Sequence, residues 1–274
     1  MLRRGGIAVV DEFQRLPPKY WDLVASWAPS GLLIAAGSSY GVVHKVFDKS
    51  SPLLGLFAPL HIDIMAYEDV LAQVGDPLLS VIWRDPWVIP HVGKAEDLRL
   101  KARDLALVAR GLIGEVFAEE ERVLTDTYWR AILLVAEGYW KSTDVAGALG
   151  LKGGLASASS ILSKLAKMGE LRANPALGRG RYYAVRSPAL SLILYTEAKY
   201  SVSDLGAEPA ELPLGREAQF TVGEMLASYF GGVQRHSPRE DIDVVLTRGG
   251  GGSGLLKLSL AHIQVARRGR LWLS

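Results

Sequence analysis

The stretch "GGIAVVDEFQRLPPKYW" constrains the fold more than any other part of the chain. Four apolar residues, Ile7 to Val10, run without polar alternation straight into Asp11 and Glu12. A short continuous apolar run is the pattern of a strand covered on both faces, as in the middle of a parallel sheet. Such a strand cannot hold carboxylates inside the sheet, but it delivers them to its carboxyl end, where open α/β sheets bind their ligands. Pro17 and Pro18 then open a helix carrying Tyr20, Trp21, Leu23, Val24 and Trp27, which Gly31 ends. "LLIAAGSS" reads as a second buried strand, ending at Gly37, Ser38 and Ser39, and a third short strand is expected at Leu60–Ile64. Strands alternating with a helix predict a parallel α/β sheet.

Two adjacent carboxylates at a strand end have a known division of labour in nucleotide hydrolases. The first holds Mg²⁺, usually through water, and the metal bridges the β- and γ-phosphates. The second polarises the attacking water. This is the Walker B arrangement, with Asp11 as the metal carboxylate and Glu12 as the catalytic one. Ser38 and Ser39 end the neighbouring strand, where a hydroxyl senses the γ-phosphate or orients the water.

From Tyr67 to Glu121 the pattern is mainly helical, with Leu98, Leu105, Leu107, Val108, Leu112 and Val116 at helical spacing. From Thr125 the character changes. "TDTYWRAILLVAEG", "STDVAGALG" and "LASASSILSKLAKMG" read as three helices, each closed by a glycine. "ELRANPALGRGRYYAV" follows as two strands around a turn rich in Asn, Pro and Gly. Three helices and a β-hairpin make a winged helix-turn-helix. Between Tyr139 and Arg186 lie eight basic residues and two acidic ones, a local charge of +6 within a chain of +2. Lys and Arg gathered on such a fold are the footprint of duplex binding. The third helix is the one expected in the major groove. Its candidate contacts are Ser160, Lys164 and Lys167, with Arg179 and Arg181 in the wing. The helix offers no Arg, Asn or Gln for bidentate base contacts, so strong base-specific readout is not expected. Winged helices also serve as protein-docking modules, and the competing expectation for the whole chain is a non-catalytic, regulator-like winged-helix module that binds DNA or a protein.

The tail holds a helix ("REAQFTVGEMLASYF"), a strand ("DIDVVLT"), a glycine-rich stretch and "LLKLSL". A nuclease core of the PD-(D/E)xK kind needs an Asp at one strand and Glu-x-Lys on the next. Asp243 and Lys257 suit two of these roles, and Glu217 is a candidate accessory carboxylate. Leu255 stands where the second acid belongs, so the metal site is incomplete and the domain is read as degenerate. None of the five histidines has metal-ligand spacing to another ligand, and the absence of cysteine removes disulfides, thiol nucleophiles and Cys-ligated zinc. No apolar run is long enough to span a membrane and no cleavable leader is visible, so a cytoplasmic protein without membrane contact is expected.

"IAVVDEFQRL", "LLIAAGSSYGVV" and "SPLLGLFAPLHIDIMAY", in this order and spacing, resemble the archaeal ATPase family, part of the AAA+/STAND group of P-loop NTPases. The resemblance covers nearly the whole chain. It implies ATP and Mg²⁺ as cofactors and four parts. Residues 1–66 are the C-terminal part of the ATPase core, 67–124 a helical lid, 125–200 a winged helix, and 201–274 a degenerate nuclease-like α/β domain. The family's P-loop, GxxxxGK[ST], belongs well before the Walker B strand and is absent from these 274 residues. The family's arginine after the "SPLxG" glycine is here Leu56. The expectation is therefore a partial P-loop sheet that does not bind ATP tightly. Its missing neighbours leave apolar edges open to a protein partner or to the N-terminal segment of the same ATPase.

Overall fold

The computed structural model describes residues 5–27, 31–38, 41, 45–120, 122–176, 180–235, 244–247 and 256–258. At the coarse level the expected class holds: helices combine with three small sheets, one parallel and two antiparallel, as α/β plus α+β. The chain divides into two compact units, Met1–Asp63 with Leu112–Leu124, and Ile64–Gly111 with Thr125–Ser274.

The first unit is built on strand β1 (Ile7–Val10), helix α1 (Trp21–Trp27) and strand β2 (Leu32–Ala35). The two strands are parallel, with Ile7 opposite Leu32 and Val10 opposite Ala35. Pro18 enters a single 3₁₀ turn that leads into α1. One sheet face meets a small core in which Phe13, Trp21, Val46 and Leu53 are buried, with Ala35, Val24 and Phe57 against them. Phe13 stacks on Trp21 at a centroid distance of 6.4 Å.

Two expectations fail in this unit. The strands are not buried on both faces: Ile7 and Val9 are 62% and 67% exposed, and Leu32 and Ile34 on the same face are also exposed. Among the described residues only one layer packs on this two-stranded sheet, and nothing among them covers the other face of the apolar strands. Residues 60–64 form no strand, and Leu60 and Ile62 are exposed. An alternating pattern gives a strand only where a neighbour supplies the ladder hydrogen bonds.

In the second unit, helices α2 (Tyr67–Val74) and α3 (Pro77–Ile82) meet at Gly75, which takes the left-handed conformation (φ 73°). The Asp76 carboxylate caps α3, accepting from the Leu78 and Leu79 amides at 2.9 and 3.0 Å. Helix α4 runs over Ala102–Glu119, its residues from Leu112 onward belonging to the first unit. The buried stripe through this region is Leu98, Ala102, Leu105, Ala106, Ala109, Ile113 and Phe117; Leu107 and Val108, expected on it, are exposed. A stripe at i, i+3, i+4 spacing from Leu98 runs through the alanines and leaves those two off it.

Helices α5 (Asp126–Glu137), α6 (Ser142–Leu149) and α7 (Gly154–Lys167) precede an antiparallel hairpin, β3 (Leu171–Pro175) and β4 (Arg181–Val185). The Tyr183 amide also donates to the Trp140 carbonyl at 2.9 Å, so the segment between α5 and α6 joins the hairpin edge. Ile132, Val135, Val145, Ala158, Leu162, Leu165 and Leu171 fill the centre. Helix α8 (Pro188–Tyr200) is buried on every side from Pro188 to Thr196. Helix α9 (Leu214–Phe230) follows, then an antiparallel sheet in the order β5 (Val233–Arg235), β6 (Val244–Thr247), β7 (Leu256–Leu258).

Candidate functional site

At the carboxyl ends of β1 and β2 the first unit brings Glu12 and Ser38 onto one hydrogen-bonded chain. The Gln14 side-chain amide donates to the Glu12 carboxylate at 2.8 Å and to Ser38 Oγ at 3.2 Å. Ser38 Oγ in turn donates to the Glu119 carboxylate. Glu12 also pairs with Arg15 at 3.2 Å. Asp11 is exposed, and one of its oxygens accepts the Glu12 amide at 3.0 Å.

Two backbone features make this possible. Glu12 sits in the left-handed region (φ 52°), which is rare for a residue with a side chain and concentrates at functional turns. Gly37 has no side chain where one would collide: an added Cβ would lie 2.2 Å from Gln14 Oε1. The glycine of "AAGSS" thus admits the Gln14 amide to Ser38. Ser39 lies outside the described residues.

The residues present fit the expected Mg²⁺–nucleotide site only in part. Asp11 and Glu12 reach solvent at the strand ends, but the phosphate side needs a loop of backbone N–H groups and a lysine that this sequence does not contain. Among the described residues no group of three or more His, Asp or Glu is arranged to hold a metal ion.

The second unit displays a different chemistry. On α7, Ser160, Lys164 and Lys167 are exposed at i, i+4 and i+7, one line along the outer face, while Ala158, Leu162 and Leu165 are buried on the opposite face. Arg181 is exposed at the start of β4, and Lys152 is exposed just before α7. None of these four cations makes an ion pair among the described residues. Lys141 lies over the Tyr182 ring at 5.5 Å. Arg179 lies outside the described residues. Arg172, counted in the +6 charge of this segment, is buried and paired with Glu224, so it adds nothing to the outer face.

Of the tail candidates, Glu217 is the one whose side-chain surroundings are described. Glu217 is 2% exposed; its carboxylate accepts from Ser191 Oγ at 2.8 Å and pairs with Arg216 at 3.1 Å. It ties α9 to α8. Lys257 stands on β7 opposite Val245, and Asp243 lies outside the described residues.

Sequence reasoning missed Gln14, Glu119, Arg84 and Glu224. The position two residues after Glu12 gave Gln14 a local signal. Glu119 lies 81 residues from Ser38 and gave none. Comparison with protein-family models, with curated proteins and with solved structures finds no match to this chain.

Proposed function

We propose that this chain is the Walker B-bearing part of an ATPase resembling the archaeal AAA+/STAND type, and that it docks on duplex DNA through a winged helix-turn-helix. The observation that carries the DNA reading is the line of Ser160, Lys164 and Lys167 along the outer face of α7, with Arg181 on the adjoining hairpin, all without acidic partners among the described residues. Three helices, the hairpin, and the Trp140–Tyr183 backbone bond at its edge support the winged-helix reading. Short hydroxyls and lysines meet phosphates more readily than base edges, so binding is to duplex in general. The test is fluorescence anisotropy of a labelled duplex titrated with the full chain at several salt concentrations. Binding at low salt that falls steeply with salt supports the reading; no low-salt binding refutes it.

The Glu12–Gln14–Ser38 bridge supports the ATPase part. Glu12 is the proposed water-polarising group, Asp11 the proposed metal carboxylate, and Ser38 the hydroxyl beside them. Bound Mg²⁺ would supply charge neutralisation of the phosphates. Without a phosphate-cradling loop in these residues, tight ATP binding is not proposed for this chain. A second reading, a non-catalytic module that docks a protein partner or an N-terminal ATPase segment, is favoured by one observation. Ile7, Val9, Leu32 and Ile34 form an exposed apolar face on a parallel sheet. The tail is proposed as a degenerate nuclease-like domain, in which the burial of Glu217 supports a structural role.

A further inference from the structure

The chain passes between the two units at three places: at residues 63–64, at 111–112 and at 124–125. Residues 57–66 carry neither helix nor strand, and neither do residues 122–125. The middle crossing differs, because it falls inside α4, which runs unbroken over Ala102–Glu119. Uninterrupted helices curve only gently, and sharper bends need a proline, a glycine or a break in the backbone ladder. At this crossing α4 reads Gly111, Leu112, Ile113, Gly114.

Glycine inside a helix is less stable than alanine, because it gives up more backbone freedom on folding. A positive φ or a close approach would justify it, and neither applies here. Gly111 and Gly114 keep helical backbone, and a Cβ added at either would meet nothing within 4 Å. Gly37, by contrast, has Gln14 Oε1 at 2.2 Å from where its Cβ would stand. The chain is anchored on both sides of this pair. Before it, Ala102, Leu105, Ala106 and Ala109 are buried, and the Arg110 guanidinium lies over the Trp129 ring of the same unit at 5.3 Å. From Ile113 onward, Ile113 and Phe117 are buried, Glu119 accepts from Ser38 Oγ, and Glu120 accepts from the Gly41 amide at 3.1 Å. The outer crossings also run between anchors. The Met65 amide donates to the Arg84 carbonyl at 2.7 Å in the second unit, and the Arg122 amide to the Phe117 carbonyl at 2.9 Å in the first. Thr125 caps α5, while Val123, between the last two anchors, is 76% exposed.

We infer that Gly111 and Gly114 form a hinge in α4, and that with residues 63–64 and 122–125 they let the two units change orientation while each core stays packed. Each crossing falls where few residues can absorb a change of φ and ψ, either in irregular chain or at glycine. The device rests on the course of the chain alone and is independent of what either unit binds.

The chain has no cysteine, so pairs of spin labels can be placed at chosen sites in the full chain. Asp22→Cys with Asp69→Cys labels exposed positions on α1 of the first unit and α2 of the second. Asp69→Cys with Ala148→Cys keeps both labels in the second unit and supplies the width of a rigid body. Pulsed electron double resonance reads the distance distribution of each pair. The pair spanning the units should give a distribution at least about twice as wide as the pair within one unit. Gly111→Ala combined with Gly114→Ala stiffens the helix and should remove about half or more of that excess width. Val108→Ala also raises helix propensity, but away from the crossing, and should leave the width unchanged. Because an added methyl has room at both glycines, the double variant should melt no lower than the parent. Equal widths for the two label pairs overturn the inference. So does an unchanged width or a lower melting temperature in the double variant, or an equal narrowing in Val108→Ala.

Discussion

At the scale of single residues, Glu170 has a consequence for stability. It is 7% exposed, and its pKa is pushed up to about 7, first by burial and then by the nearby Asp85 carboxylate. In the unfolded chain the same group titrates near 4.5. A carboxyl with a raised folded pKa favours folding while it stays protonated. That contribution is complete below about pH 4.5 and is lost as pH rises to about 7. Glu170→Gln removes the ionisation. It should leave stability nearly unchanged at about pH 4 and raise it at about pH 8 by up to about 3 kcal/mol. Urea unfolding at both pH values checks this, and a pH-independent difference refutes the assignment. Gly37 makes a second case. Gly37→Ala forces the Gln14 amide away from its present place at 2.2 Å. The displaced group is the end of a flexible side chain, so the cost should stay under about 1 kcal/mol. The Glu12–Gln14–Ser38 bridge should be lost, which a crystal structure of the variant would reveal.

At the scale of elements, α7 divides into a buried face and a displayed face, and each gives its own prediction. Leu162 is fully buried. Leu162→Ala should cost about 2–5 kcal/mol through lost transfer energy and the cavity left behind, measured by chemical denaturation. On the displayed face, replacing Lys164, Lys167, Arg179 and Arg181 with alanine together should remove most DNA binding and leave the melting temperature close to the parent's. Phosphate contacts act by releasing counterions, so each one lost should lower the slope of log K against log salt by about one unit. A fourfold variant that binds duplex as tightly as the parent would make this face a protein-docking element.

At the scale of the whole molecule, the proposed nucleotide chemistry depends on a part these 274 residues do not contain. Calorimetric titration of this chain with Mg-ATP should show no micromolar binding, because phosphate recognition rests mainly on the P-loop backbone and its lysine. Micromolar binding would mean that phosphate is held elsewhere. In a longer chain that supplies the loop, Glu12→Gln should cut turnover strongly while sparing nucleotide affinity. Asp11→Asn should weaken both, since it alters the proposed metal carboxylate.

The sequence alone located most elements of the fold, because local signals mark them. Pro18 placed the entry to α1, and Gly138 and Gly150, read as helix stops, stand at the ends of α5 and α6 with positive φ. It also marked Asp11 and Glu12, since an apolar strand can place charge only at its end. Other features rest on long-range packing. Helix α8 is apolar all round, so it carries no periodic face to read, and only its burial between other elements explains it. The exposure of Ile7 and Val9 was invisible in the sequence, because their pattern records the cover a strand is suited to, not what covers it. Glu119 reaches Ser38 from a distant helix, and Arg84 and Arg172 reach Glu224 from separate parts of the second unit. Such pairings depend on where backbones come to rest in three dimensions. Tertiary structure therefore decided which charged groups share a site.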